Sequence, residues 1–433
     1  MKLGKFARER HGERGITILL VAIAMVSLLG MAALAIDIVT LYVARTEAQR
    51  VAESAALAGA KMFVSSGYTS GQLGPIGGSG GAVCGGATSP ANTQATQTAM
   101  QNTIGGLQPT TVNVTCDFTV PENPKLTVQV QQTGLPTFFS KIWGGGAANS
   151  VSATATAEAF NSSGSSTAAG VPIQVGSVKP FLIANCDPTA IPTNPCAPYF
   201  VDATYVAANQ ANYLGTVFTF APAGSGIPLA KAQYWVADMP VPATSCPSTA
   251  GSCGGAGGGG IYDDIACANP APLACGAGLQ LTIDPNSGTI PTNTTQVSPA
   301  AQCLIHATGP GIGNGQDIFA PAGIGTPVAI TPGDNNPNPA FRGQAGMNIS
   351  RSDSIITVPI FNWVSNPCPG VPCNTSAATV NIVGYLQLGI QAVDATGNIQ
   401  AVIMNVASCN PGAGSNPVLG GGVAPVPVRL IHN

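Results

Sequence analysis

Charge is what this chain of 433 residues has least of: Asp, Glu, Lys and Arg make up 8% of it, against about 25% in an ordinary soluble domain. Histidine is scarcer still, with His11, His306 and His432 the only three. No C-x-x-C string occurs among the 12 cysteines, so a zinc site built from close Cys pairs and His partners lacks its raw material. The few basic residues are also badly placed for nucleic acid. Lys2, Lys5, Arg8, Arg10 and Arg14 precede residue 15, and Arg45, Arg50 and Lys61 follow by residue 61. Beyond Lys61 the long remainder of the chain carries more acidic than basic groups, 13 against seven. That leaves no basic stripe to neutralise phosphates, which argues against nucleic-acid binding. The surface must be covered by Ser, Thr, Asn, Gln and Gly.

What is abundant points to a folded chain with many turns outside the reducing cytoplasm. Gly (54) and Pro (36) are frequent, yet together stay below the roughly 25–30% at which an aperiodic sequence looks disordered. The cysteines are even in number and lie in segments rich in Gly, Pro and Asn. Several come in close pairs: Cys186 with Cys196, Cys246 with Cys253, Cys267 with Cys275, and Cys368 with Cys373. With Cys84, Cys116, Cys303 and Cys409 they read as a disulfide set, which implies an oxidising compartment. Connectivity is not legible; pairing of neighbours, with Cys84 to Cys116 and Cys303 to Cys409, is one arrangement among many.

Residues 16–36, ITILLVAIAMVSLLGMAALAI, hold no charge and only Thr17 and Ser27 as polar groups. At 1.5 Å per residue such a run spans about 31 Å, the thickness of a bilayer's hydrocarbon core. The stretch before it carries five basic and two acidic residues. The positive-inside rule then places the N-terminus in the cytoplasm and the rest across the membrane. Ala33-Leu34-Ala35 would suit a signal-peptide cleavage site. Against cleavage, the apolar run is long and a helical pattern continues through the cut. Leu41, Ala44, Ala48, Val51, Ala55, Ala58 and Met62 recur at alternating spacings of three and four. They form a heptad seam of mostly small residues with Arg45, Glu47, Arg50 and Glu53 off it. The seam suits cover for the protein's own sheet or close packing on another helix. Asp37, at the outer end of the span, reads as a boundary residue at the interface.

This arrangement resembles the N-terminal segment of the TadE/TadG-like proteins of Tad (Flp) pilus assembly. Arg14-Gly15 precedes the apolar run, Ala35-Ile36-Asp37 closes it, Leu41-Tyr42 follows a turn later, and Ala55-Ala56-Leu57-Ala58-Gly59-Ala60 ends it. The resemblance covers about the first 60 residues, with a vaguer likeness as far as residue 160. It implies a bacterial inner-membrane protein that works in the assembly or display of a pilus or a related secretion apparatus. Pseudopilins cut by a prepilin peptidase usually carry Glu five residues after the cleavage-site Gly; here position 20 is Leu20, so the chain looks like the TadG type. No D-x-S-x-S string occurs, so the metal site of a von Willebrand A domain does not carry over.

Beyond the anchor, Val112, Val114, Cys116, Phe118 and Val120 alternate with polar residues, as do Leu126, Val128 and Val130, and as does Val151–Ala159 with Glu158 facing outward. These are half-buried strands, the first two joined across residues 121–124. The Ala-rich helix is their nearest cover, which gives a pilin-like helix on a sheet. NSSGSSTAAG (161–170) reads as a linker. Further strands are expected at 173–184, 213–221, 280–284, 354–363, 379–393 and 398–407, the last two forming a hairpin about Asp394-Ala395-Thr396-Gly397. A sandwich-like pair of sheets is the expected shape. The fold class is therefore α+β. A cytoplasmic tail (1–15) and a transmembrane helix (16–36) lead into a helix on a small antiparallel sheet (37–160). A linker (161–170) and a β-rich, disulfide-stapled extracytoplasmic domain (171–433) follow.

Chemistry finds little to work with. Gly77-Gly78-Ser79-Gly80-Gly81 fits a nucleophile elbow but has no strand before it. His306 reads as structural, beside a disulfide. Asp263-Asp264 could do glycoside chemistry but reads as a solvated pair in a Gly-flanked loop, and 251–260 as a Gly-rich surface loop. Residues 331–354 lack EF-hand spacing and read as a loop in which Arg342 or Arg351 pairs with Asp334 or Asp353. No catalytic residue, metal or cofactor is expected. The partners implied are the lipid bilayer, other pilus or secretion-system subunits and further copies in a homo-oligomer. The competing function is an anchored adhesin or glycan-binding module.

Overall fold

A computed structural model describes residues 13–70, 79–119, 123–135, 149–160, 173–175, 178–193, 196–202, 208–223, 230–239, 261–267, 273–274, 278–281, 296–323, 326–344, 346–349, 352–363, 379–409, 418–419 and 426–431. The basic tail up to residue 12, the linker 161–170 and the Gly-rich loop 251–260 lie outside them. Two compact units emerge. One comprises Met1–Ala55, Thr96–Val114 and Val128–Ala155, the other Ala56–Ala95, Thr115–Thr127 and Thr156–Asn433.

Helix α1 (Glu13–Ser65) runs without a break for 53 residues, about 80 Å at 1.5 Å per residue. No proline interrupts it, and the apolar run passes directly into the Ala-rich stretch. It stops at Gly67, whose φ of 67° only glycine adopts readily. The Gly67 N–H donates to the Val64 carbonyl at 3.0 Å, and that of Ser66 to Met62 at 2.9 Å. Two short helices follow, α2 (Ser79–Cys84) and α3 (Pro90–Met100). Ser89-Pro90 is a helix-start signal, and Ala91, Ala95 and Ala99 make α3's buried face.

Strands β1 (Thr111–Asp117), β2 (Lys125–Leu135) and β3 (Asn149–Ala159) come next. In β2 the alternation holds, with Leu126, Val128 and Val130 fully buried. In β3 it holds only to Thr154. From Ala155 to Ala159 every residue is buried, so Glu158 faces a covered environment and not solvent. The cause is a strand from far along the chain, β16 (Val428–Ile431), which pairs antiparallel with Thr156–Ala159. The sheet order is β1-β2-β3-β16.

Between them lie β4 (Ile173–Val175), β5 (Phe181–Ala184), α4 (Gln210–Tyr213), β6 (Val217–Pro222), β7 (Gln233–Asp238), α5 (Ile261–Ala266), β8 (Leu273–Ala274) and β9 (Gly278–Leu281). Then come α6 (Val297–Leu304), β10 (Ile318–Phe319), β11 (Ile330–Thr331), β12 (Ile355–Phe361), β13 (Thr379–Val393), β14 (Ile399–Ser408) and β15 (Val418–Leu419). The segment expected as one strand over 173–184 divides into β4 and β5, which sit in different sheets. Pro180 stands before β5 with no N–H to give a ladder.

The main sheet is closed, and this corrects the sandwich expectation. Its order runs β12-β5-β7-β6-β14-β13, and β13 pairs back onto β12 along the whole of Ile355–Phe361. Six strands thus form a barrel with parallel pairs β12–β5 and β6–β7, while β9 bridges β13 and β7. Closure leaves no open edge in the ring. Phe181, Phe220, Tyr234, Ile356, Leu388 and Ile399 fill its interior, each buried apolar side chain contributing roughly 1.5–3 kcal/mol. Outside the barrel, Val402 and Met404 of β14 form a second small core with Phe319, Val328, Ile330 and Ile349.

Candidate functional site

The anchor helix changes character along its length. From Ile16 to Val43 its large apolar side chains other than Leu41 stand exposed, Leu28 at 63% and Ile38 at 56% among them. This is the one helix among the described residues long and apolar enough to cross a membrane. Apolar surface on that scale needs lipid or other protein to cover it. Its few hydroxyls turn inward on the helix: Ser27 Oγ donates to the Ile23 carbonyl and Thr40 Oγ1 to that of Ile36.

At Ala44 the exposure falls to 1%, and Ala48, Ala52, Ala55, Ala56 and Ala60 are fully buried. Of the seam positions, Ala44, Ala48, Val51, Ala55 and Met62 are buried and Leu41 and Ala58 half-buried. Their cover comes from the chain itself. A Cβ on Gly59 would meet Leu126 of β2 at 2.8 Å and Ala95 of α3 at 3.0 Å, and one on Gly105 would meet Ala44 at 4.0 Å. Off the seam, Arg45 and Arg50 are exposed. Glu47 Oε2 accepts from the Gly105 N–H at 2.7 Å, and Gln49 donates to Glu53 at 2.8 Å. Asp37 is 3% exposed and partnered within the protein.

Two disulfides are formed between described residues: Cys84–Cys116, which ties α2 to β1, and Cys186–Cys196. Cys267, Cys303 and Cys409 are disulfide-bonded too. Cys246, Cys253, Cys275, Cys368 and Cys373 lie outside the described residues.

The residues considered for chemistry are dispersed. Of the glycine-rich Ser79 motif, Gly77 and Gly78 lie outside the described residues, and Ser79 opens α2. His306 takes the left-handed position that ends α6, with φ 58°, and its Nε2 meets Asp353 at 3.2 Å. That hydrogen bond holds the Asp353 carboxyl below the usual range, against the effect of burial. Of the two arginines expected to pair within residues 331–354, Arg342 donates to the Asn336 carbonyl at 2.7 Å, and Arg351 lies outside the described residues. The carboxylate that organises this loop is one sequence reading passed over, Asp317. It is 4% exposed and accepts from the Gly333 N–H, Asn336 Nδ2 and Ser352 Oγ, the last at 2.6 Å. Nothing in its flanks, a lone Asp after Gly-Gln, marks it in sequence.

Asp263 and Asp264 are buried on α5 at 5% and 7% exposure, which corrects the solvated-pair reading. Beside them Lys179 is also buried, its ammonium donating to the Cys267 carbonyl. Desolvation drives the Lys179 pKa down to about 8, with Asp264 acting against the fall. Among the described residues no group of three or more His, Cys, Asp or Glu side chains is arranged to hold a metal ion.

Residues 15–62 match the family described as putative Flp pilus-assembly TadE/G-like. The matched stretch is the exposed apolar half of α1 together with its buried small-residue continuation. No curated protein and no solved structure matches the chain. The match, over residues 15–62 alone, supports a role related to Tad pilus assembly.

Proposed function

We propose that this chain is a membrane-anchored structural component in the assembly of a Tad/Flp-type pilus or a related secretion apparatus. It sits in the bacterial inner membrane with residues 1–15 in the cytoplasm and 16–36 in the bilayer. Residues 37–160 make a pilin-like unit, 161–170 a linker and 171–433 the extracytoplasmic body. The observation that carries this reading is the change along α1 within the matched stretch, from an exposed apolar surface to a small-residue face used by the chain's own fold. Because Ala44, Ala48, Val51 and Ala55 are covered by the chain itself, contacts with other subunits fall on the membrane half, at positions such as Val26, Leu34 and Ile38. Association there rests on side-chain packing between helices, since lipid is as apolar as leucine.

The test is crosslinking in cells through single cysteines at Val26, Leu34 and Ile38 of the full chain, with mass spectrometry of what is captured. The expected products contain subunits encoded with a pilus secretion ATPase. Monomer alone at all three positions, in a chain that remains membrane-bound, would overturn the assembly role. Sugar binding by the intact chain on a glycan array would favour the adhesin instead.

A further inference from the structure

The exposed face of α1 stays apolar past the end of the uncharged run at Ile36. Ile38 (56%), Val39 (60%), Tyr42 (72%) and Val43 (48%) continue the series of exposed large side chains that begins at Ile16. From Gly15 to Ala44 the only charged residue is Asp37. It lies on the other side of the helix, 3% exposed, in one stripe with half-buried Thr40 and Leu41 and buried Ala44. The first exposed charges beyond it are Arg45 and Arg50. The exposed face is therefore without charge from Ile16 to Val43. That stretch rises about 42 Å at 1.5 Å per residue, too long for a hydrocarbon core of about 30 Å. At the average tilt of about 20° it spans about 39 Å along the membrane normal, close to the core plus one headgroup layer of about 5–8 Å.

The body of the same unit comes to this level. The Gly105 N–H donates to Glu47 at 2.7 Å, and a Cβ on Gly105 would stand 4.0 Å from Ala44. The turn from Ile104 to Leu107, closed by backbone hydrogen bonds in both directions, thus lies against α1 just past Val43. Its last residue, Leu107, is 48% exposed, and outside α1 no other described residue of this unit exposes a large apolar side chain as it does. A single exposed leucine is ordinary, but this one stands on the turn that meets the helix where the apolar strip ends. Two features fit lipid and not a second helix. The small residues that let helices approach closely, Ala44 and Ala48, are on the covered face, whereas Ile38, Val39, Tyr42 and Val43 are branched or aromatic. The strip also ends in the order a membrane interface requires. Tyr42 brings an apolar ring with a polar tip, and Arg45, whose side chain reaches back toward the helix N-terminus as helix side chains do, brings a cation to the phosphates.

We propose that lipid contact on α1 extends to Val43 and that Tyr42, Arg45 and Leu107 sit in the outer headgroup layer, so that this unit is seated in the membrane surface and not held above it. The partner is the bilayer itself, its acyl chains and phosphodiesters. Asp37 then lies about 9 Å below Val43, at a depth where an uncovered carboxylate is costly, and the chain's own fold supplies the cover. The inference rests on the membrane-anchor reading. In the chain alone the exposed face meets lipid; a pilus subunit that packs on Ile38 displaces it.

The experiment uses the full-length chain in phosphatidylcholine–phosphatidylglycerol vesicles. Single added cysteines replace Leu28, Val39, Val43, Leu107 or Arg50, all exposed positions, and carry a nitroxide attached without reductant; the unsubstituted chain is the labelling blank. Collisions with oxygen, which concentrates in lipid, are compared with collisions with a water-soluble nickel chelate. The expected ratio favours oxygen at Leu28, Val39 and Val43, is intermediate at Leu107, and falls several-fold at Arg50. If the chelate reaches Val39 and Val43, or Leu107, as freely as Arg50 while Leu28 keeps its lipid signature, the unit stands clear of the membrane and the proposal is overturned with the anchor intact. Exclusion of both reagents from Val39 and Val43 would mean protein cover and overturns it as well. Free access of the chelate to Leu28 would remove the anchor reading, and the proposal with it.

Discussion

Asn405, in the middle of barrel strand β14, donates its side-chain amide to the backbone carbonyl of Val64, 3.2 Å away in the last turn of α1. Both residues are buried, Asn405 completely. The last carbonyls of a helix have no partner within it, and here the barrel wall supplies one. The next carbonyl, of Ser65, accepts from the Val328 N–H at 3.4 Å, in the small core outside the barrel. The end of the anchor helix is thus part of the barrel's outer surface and not a free tether.

Asn405→Leu should therefore destabilise the barrel and the helix end together, by about 1 kcal/mol. That is the low end for a lost buried hydrogen bond, because Val64 keeps the Gly67 N–H. Chemical denaturation of the detergent-solubilised chain would show the midpoint falling. A midpoint equal to the parent's would mean that the contact contributes nothing.

Gly59 offers a sharper test of the small-residue face. A Cβ there would stand 2.8 Å from Leu126 and 3.1 Å from the Ala91 carbonyl. One of these neighbours is backbone and cannot move aside easily. Gly59→Val should cost about 1–3 kcal/mol by overpacking, whereas Ala58→Val, at a half-buried position of the same turn, should cost less. Equal effects would show that α1 does not pack closely against α3 and β2.

Sequence reading went furthest where one physical constraint acted locally. The apolar run of α1 shows in composition alone, because a long stretch without charge is a local feature of the sequence. The β13–β14 hairpin shows because Asp394 and Gly397 are turn residues whose chemistry acts within one tight turn. Leu126, Val128 and Val130 alternate because one face of β2 is covered and the other is not. What stayed hidden was non-local. Glu158 looks like an outward strand residue until Arg429 is brought beside it. The closure of β12 onto β13 depends on which strands meet, and alternation is the same in a sandwich and a barrel. The burial of Asp263 and Asp264 goes with that of Lys179, which stands before β5 in a distant part of the sequence, and no spacing rule connects them.

Acid should act on the β13–β14 turn. Burial raises the Asp394 pKa, but hydrogen bonds from the side chains and backbone of Thr396 and Asn398 outweigh it and leave the carboxyl below its ordinary value. A carboxyl depressed by folding contributes stability above its unfolded pKa, and that contribution is lost as pH falls through the folded value. Unfolding midpoints should therefore drop below about pH 4 more steeply in the parent than in Asp394→Asn. Parallel curves for the two proteins would remove the turn from the account of acid sensitivity.

At the alkaline end the sign reverses, and Lys179 decides it. Its pKa is lowered from 10.5 to about 8 in the folded protein, so between those values the unfolded chain binds a proton that the folded chain does not. Stability then rises with pH through this window, by up to about 3 kcal/mol at 1.36 kcal/mol per unit. Lysines held by acidic partners act the opposite way as they deprotonate, so a rise is diagnostic of a lysine whose desolvation outweighs its pairing. With no free thiol among the described cysteines, disulfide exchange is not expected to mask the effect. Denaturation midpoints measured at pH 7.5 and 9.5 should increase in the parent and stay level in Lys179→Met, which fills the same space without an amine to desolvate. If the parent's midpoint falls over that interval, the ammonium of Lys179 is better paired than its burial implies, and Asp264 then acts as a counter-ion strong enough to offset the loss of water.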